Sequence, residues 1–189
     1  MLGFLWVAAI TPGPNNMLLT TSGANFGFMR SLWLMIGIML GMQSILLLVA
    51  FGVGGLILIY PSLHFILKVL GSAYLLWLAW KIANAVPPEA RAVTGKPFTF
   101  LQAAAFQWVN PKAWMMGITA ISTFATTDSI LVGALIVGGM FTAVSLPIVS
   151  LWALVGVQLR RWLGTAHRLR VFNVTMAALL VASLWPMLR

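Results

Sequence analysis

The chain has 189 residues, of which 61% are hydrophobic and 7% charged, and its mean hydropathy is +1.02; this excludes a water-soluble domain and points to a membrane protein. Eleven Lys and Arg against two Asp and Glu give a net charge of +9. The basic residues gather at particular loops instead of lining one face, which speaks for lipid and against a nucleic-acid partner.

Six spans are predicted in chain order. Span 1 runs from about Leu2 to Phe28 and is interrupted by Thr11-Pro12-Gly13-Pro14-Asn15-Asn16. Its first residues resemble a signal peptide only superficially. They lack a basic n-region, since the first basic residue is Arg30, so Met1–Ile10 is read as the first half of a span. Span 2 is Leu32–Tyr60 and span 3 is Phe65–Val86. A polar linker, Pro87–Pro97, follows. Span 4 is Phe98–Thr123, interrupted at Asn110-Pro111-Lys112. Span 5 is Ile130–Leu159, with a kink expected at Pro147, and span 6 is Val171–Leu188. Each is long enough to cross ~30 Å of hydrocarbon at ~1.5 Å per residue.

Loop charges orient these spans. Arg30 follows span 1; Lys81, Arg91 and Lys96 lie in or beside the loop after span 3; Arg160, Arg161, Arg168 and Arg170 follow span 5. The loops after spans 2 and 4, Pro61–His64 and Ala125–Ser129, hold no Lys or Arg. The positive-inside rule makes the loops after spans 1, 3 and 5 cytoplasmic and puts both termini outside. With three spans per half, the halves have opposite orientation. The expected fold is therefore an all-α integral membrane protein, one transporter domain over residues 1–189. It is built from two inverted three-helix repeats, about 1–86 and about 98–189.

The two interruptions carry the chemistry. Unpaired backbone groups in hydrocarbon cost several kcal/mol each, and interrupted spans at matching positions mark transporter binding sites. About ten residues precede the first break and about twelve lie between Phe98 and Asn110, so each first half covers ~15–18 Å and both breaks fall near the midplane. Pro14 and Pro111 suit the first position of a helix, with Asn110 as N-cap. Two helix N-termini would then offer N–H donors to an anion, and carbonyls near Ile10 and Val109 would accept from an ammonium group. Lys112 would sit ~15–20 Å from either surface on a stem that reaches only ~6 Å. The only acidic residues, Glu89 and Asp128, fall in loops, which leaves a substrate carboxylate as its partner. The competing reading is that the prolines only kink the helices and that Lys112 bonds to backbone carbonyls.

Asn15, Asn16, Gln43, Gln107 and Asn110 are candidate polar wall residues, with Tyr74 beside them; interhelical hydrogen bonds are the alternative fate of each. Gly37-x-x-x-Gly41 suits either a homodimer seam or close packing within one chain, the latter being preferred. With no cysteine and two separated histidines, His64 and His167, neither a transition-metal site nor a cofactor is expected. No nucleophile–base–acid constellation appears, so an enzyme is disfavoured.

Thr11–Asn16, Gly23-x-x-x-Gly27, the glycine-rich span 2, Gly71-Ser-Ala-Tyr-Leu75 and Asn110-Pro-Lys112 together resemble the lysine exporter (LysE/RhtB) superfamily over essentially the whole chain. Gln107 with Ile118-Thr-Ala-Ile-Ser-Thr-Phe124 looks most similar to its cysteine/O-acetylserine exporter branch. The resemblance implies a bacterial inner-membrane exporter of small neutral amino acids or derivatives, driven by the proton gradient. Many members carry an aspartate in span 2 after a glycine; here Met42 and Gln43 follow Gly41, which puts carboxylate-based coupling in question. The N-terminus is also a few residues shorter than is usual in that superfamily. The expected site comprises Thr11, Pro12, Gly13, Pro14, Asn15, Asn16, Gln43, Tyr74, Gln107, Asn110, Pro111 and Lys112. A non-transporting membrane scaffold and an inorganic-ion exporter are the alternatives.

Overall fold

Proline and glycine set many of the helix boundaries. In the computed structural model, which describes residues 1–85, 97–125 and 129–185, α1 (Leu2–Ile10) stops before Thr11 and Pro14 opens α2 (Pro14–Phe26). Gly27, at φ 82°, separates α2 from α3 (Phe28–Ala50), and Gly52, at φ 93°, separates α3 from α4 (Val53–Ile59). Both glycines occupy the left-handed region that other residues avoid. Pro61 opens α5 (Pro61–Ala83). Thr99 and Gln102 form a capping box at the start of α6 (Phe100–Val109). The side chains of Asn110, Ser129 and Thr165 cap α7 (Pro111–Phe124), α8 (Ile130–Trp162) and α9 (Ala166–Ala182). The described residues thus form nine α-helices and no strand.

Several expected boundaries are corrected. Arg30 lies in the first turn of α3, not in a loop, because the single residue Gly27 makes the turn. Span 2 as drawn overruns a real stop: helix ends at Ala50 and restarts at Val53 across Gly52. Residues 61–64 form the first turn of α5, with Pro61 at the position that needs no N–H donor. Arg160 and Arg161 finish α8, and Arg168 and Arg170 sit within α9. Helix α8 runs continuously through Pro147. Residues 87–96 of the expected linker, with Glu89, Arg91 and Lys96, lie outside the described residues, as does Asp128.

Three helices among the described residues, α3, α5 and α8, are each long and apolar enough to cross a membrane. The others are shorter, with α9 the longest of them at 17 residues. Many large apolar side chains face outward, including Trp33, Phe65, Trp80, Leu101 and Leu135; such a surface is stable against lipid and not against water.

The interior holds two apolar clusters. One joins α2, α3, α5, α6, α8 and α9 around Leu19, Leu34, Leu78 and Phe106. The other joins α1, α3, α4, α7 and α8 around Leu5, Ile45, Trp114 and Val137. Glycines allow the closest crossings. A Cβ on Gly23 would lie 2.1 Å from the Ala153 carbonyl oxygen, and one on Gly156 would lie 2.0 Å from that of Thr20, so α2 and α8 meet backbone to backbone. Gly37 and Gly41 bring α3 against Phe100, Ala103, Ala104 and Gln107 of α6 in the same way. That stripe is covered within one chain, so it does not serve as a homodimer seam.

Candidate functional site

The helix ends at residues 10–14 and at residue 110 lie against each other. Asn15, in the first turn of α2, and Gln107, in the last turn of α6, form a reciprocal amide pair: each Nδ2 or Nε2 donates to the other's oxygen, at 3.0 and 2.9 Å. Gln107 is 1% exposed, so this pair satisfies two carboxamides within an apolar interior and adds no charge. Lys112, in the first turn of α7, donates from Nζ to the Thr11 carbonyl at 3.3 Å. A Cβ on Gly13 would sit 3.1 Å from that Nζ; glycine leaves room for the ammonium head.

Asn16 bonds across the gap between α1 and α2. Its Nδ2 donates to the carbonyls of Ala9 and Thr11, both at 3.0 Å, and the Thr11 hydroxyl donates back to Val7. Some of the freed carbonyls are therefore satisfied internally. The two helix starts differ. The Asn110 side chain accepts from the Lys112 N–H at 3.1 Å and caps α7. Gly13 supplies no side chain, so α2 begins without a side-chain cap. Of the two expected anion-binding helix ends, only that of α2 lacks a side-chain cap.

These residues line a cavity of about 50 Å³ with Thr11, Gly13, Pro14, Asn15, Asn16, Gln107, Asn110 and Lys112 in its wall. Apolar side chains close the remainder, among them Ile38, Met42, Phe141 and Ile148. Eight of the twelve expected residues thus meet in one place. Pro12 and Pro111 do not line the cavity; they shape the backbone beside it. Gln43 and Tyr74 lie elsewhere. Gln43 Nε2 bridges α3 to α8 through the Gly138 carbonyl at 2.9 Å and the Thr142 hydroxyl at 2.8 Å. The Tyr74 hydroxyl donates to the Gln102 carbonyl at 2.8 Å, and its ring stacks on Phe106. Both spend their polar groups on helix packing.

Ser145 is the residue the sequence reading missed. It lines the cavity, is 4% exposed, and its Oγ has no hydrogen-bond partner among the described residues. Its neighbours in α8, Thr142 and Ser150, return their hydroxyls to the carbonyls four residues earlier, the usual resolution for a helical hydroxyl. A buried hydroxyl without a partner costs about 1–3 kcal/mol and stands ready for a ligand. A serine in an apolar helix carries no sequence signal that distinguishes these two states.

A known family matches nearly the whole chain: the LysE type translocators, over residues 6–183. The chain belongs to the LysE family. Relatives named cysteine/O-acetylserine efflux protein include one from Salmonella typhi, 35% identical over 176 residues, covering 93% of this chain and 89% of the relative. Another, from Escherichia coli (strain K12), is 40% identical over 118 residues, covering 62% of this chain and 60% of the relative. No solved structure gives a significant match. Family membership and the three helices of spanning length make this LysE protein a multi-pass membrane transporter.

Proposed function

We propose that the chain exports small neutral amino acids or their derivatives across the bacterial inner membrane, and that the cavity between the two helix breaks holds the substrate. The observation that carries the reading is the meeting of Lys112, the Asn15–Gln107 pair and the uncapped start of α2 around one cavity. The donor set fits a zwitterion. Lys112 and the first-turn N–H groups of α2 attract the carboxylate. The Asn15 and Gln107 oxygens each accept one hydrogen bond in the pair and keep a lone pair for the ammonium. The Ser145 hydroxyl remains for the side chain, and a site built around a polar substrate atom discriminates strongly against analogues that lack it. The small cavity favours a small substrate.

The packing supports an inverted repeat. In this reading α1 with α2 makes span 1 and α6 with α7 makes span 4; α3, α5, α8 and α9 supply spans 2, 3, 5 and 6. Span 1 packs on span 5, span 4 on span 2, and spans 3 and 6 on each other. Exchanging the halves maps this pattern onto itself. Loop charge then puts the start of α3 and the end of α8 on the cytoplasmic side. Cysteines introduced at Gly164 and Ser129 of this cysteine-free chain check the orientation. An impermeant thiol reagent should label Ser129→Cys and spare Gly164→Cys in intact cells, and the reverse pattern refutes it.

The coupling proposal follows from the scarcity of carboxylates. Only Glu89 and Asp128 exist, both in expected loops, so an intramembrane Asp or Glu relay has no residues to use. We assign the moving proton to Lys112 or to the substrate's amino group. Efflux of a panel including cysteine, O-acetylserine and neutral amino acids, from cells expressing the chain, tests the function. Export of at least one should exceed that of empty-vector cells, collapse with a protonophore, and survive in the Glu89→Gln/Asp128→Asn variant. No enhanced efflux of any panel member counts against the transporter reading, and lost coupling in the well-expressed double variant counts against the proton route.

A further inference from the structure

A second cavity, of about 170 Å³, lies where α2 and α5 end and α6 begins; Thr21, Asn25, Trp80, Lys81, Asn84 and Phe98 are in its wall. We propose that it is a loading vestibule that binds the same zwitterionic substrate before it reaches the central cavity, an inference that rests on the amino-acid reading above. The loop charges assign this end of the bundle to the cytoplasm, the side from which an exporter takes its substrate.

The two cavities share one donor set. At the centre, a lysine stands beside a reciprocal amide pair and a buried hydroxyl with no partner, Ser145. At the vestibule, Asn25 of the wall pairs reciprocally with Asn173 behind it at 2.7 and 3.0 Å, Lys81 is the cation, and the Thr21 hydroxyl is the buried group with no partner among the described residues. Thr21 is 2% exposed. The hydroxyls on either side of it are bonded: Thr20 to the Asn16 carbonyl and Ser22 to Ser31. One helix connects the sites, since Asn15 and Asn25 both sit on α2. Ten residues at ~1.5 Å each separate them by about 15 Å along the axis, roughly half a membrane.

Lys81 is held for this role by neutral partners. Its Nζ donates to Gln102 Oε1 at 3.0 Å and sits 4.5 Å from the centre of the Phe98 ring and 5.7 Å from that of Trp77. The rings fix the ammonium by cation–π attraction without neutralising it, and two of its three protons remain for a carboxylate. Thr21 Oγ1 supplies a further donor. The Asn84 Nδ2 donates to the Trp80 carbonyl at 2.8 Å, which leaves its Oδ1 to accept from an ammonium.

Full-length chain in phosphatidylcholine nanodiscs, titrated with radiolabelled O-acetyl-L-serine and with L-cysteine, tests the proposal. The parent should bind two molecules per chain, while Lys81→Met and Lys112→Met should each bind one. Lys81→Arg and Glu89→Gln should keep two, and Thr21→Val should weaken the vestibule site alone. In export, Lys81→Met should raise the apparent KM for cytoplasmic substrate about tenfold, the scale of one charge-assisted hydrogen bond, at an unchanged maximal rate. A parent that binds one molecule, lost in Lys112→Met and unaffected by Lys81→Met, overturns the vestibule and leaves the central site standing. A parent that binds none overturns both. If Lys81→Met changes only the phosphatidylglycerol that copurifies from membranes, the cavity holds a lipid headgroup and the proposal is wrong.

Discussion

Lys112→Met is expected to reach the membrane at parental levels or better and to export poorly. The variant keeps the aliphatic stem and removes the charge. If Lys112 lies at the centre of a span, as proposed, it costs about 2.5–3.5 kcal/mol on insertion scales, and its loss eases biogenesis. Little among the described residues depends on the ammonium: its one hydrogen bond there goes to the Thr11 carbonyl, which also accepts from Asn16. If the ammonium serves the substrate carboxylate, its removal costs one charge-assisted interaction, about ten- to hundredfold in transport. Lys112→Arg keeps the charge with a wider, planar head. Because a Cβ on Gly13 would already lie 3.1 Å from Nζ, the guanidinium is crowded there and only partial activity is expected. A scaffold would be indifferent to both changes. Efflux measured at matched membrane levels decides it, and normal export by Lys112→Met would leave the start of α2 as the only anion-binding group at the site.

How far the sequence reports this arrangement depends on whether the relevant physics is local. The helix starts are legible because a proline removes its own N–H whatever surrounds it; Pro14 and Pro111 both open helices as expected. The Asn110 cap is legible for the same reason. Gly52 is not, because apolar residues continue unbroken on either side and only its positive φ ends the helix. Partner choice is the other blind spot. Gln43 and Gln107 are both lone amides in apolar helices, yet one meets the Gly138 carbonyl and the other Asn15. Helix crossing angles decide that, and no local pattern encodes them. Asn25 and Asn173 pair across 148 residues, and the free hydroxyls of Thr21 and Ser145 appear only once every neighbour is in place.

Gly156→Ala and Gly23→Ala should destabilise the protein far more than their single added methyl suggests. In most helices a Gly→Ala change helps, by about 0.5–1 kcal/mol. Here the methyl of Gly156→Ala would meet the backbone of α2: the Thr20 carbonyl oxygen at 2.0 Å, its carbon at 2.8 Å and the Ala24 nitrogen at 2.9 Å. Backbone atoms cannot turn aside as a flexible side chain does, so α2 and α8 must separate along their contact. Overpacking of this kind costs about 1–3 kcal/mol, and occasionally more. Lipid offers no hydrophobic force to pull the helices back together, because close packing is itself what holds them. Separation would also shift α2, which carries Asn15 at one cavity and Thr21 at the other. Gly139→Ala is the internal control: it lies in the same helix as Gly156, and a Cβ there meets nothing within 4 Å among the described residues. Thermal unfolding of the purified proteins in detergent should place Gly139→Ala at or above the parent and both Gly23→Ala and Gly156→Ala several degrees below it. Equal melting temperatures for all four proteins would show that α2 and α8 are not in backbone contact, and with that the positions of both cavities along α2 would have to be redrawn.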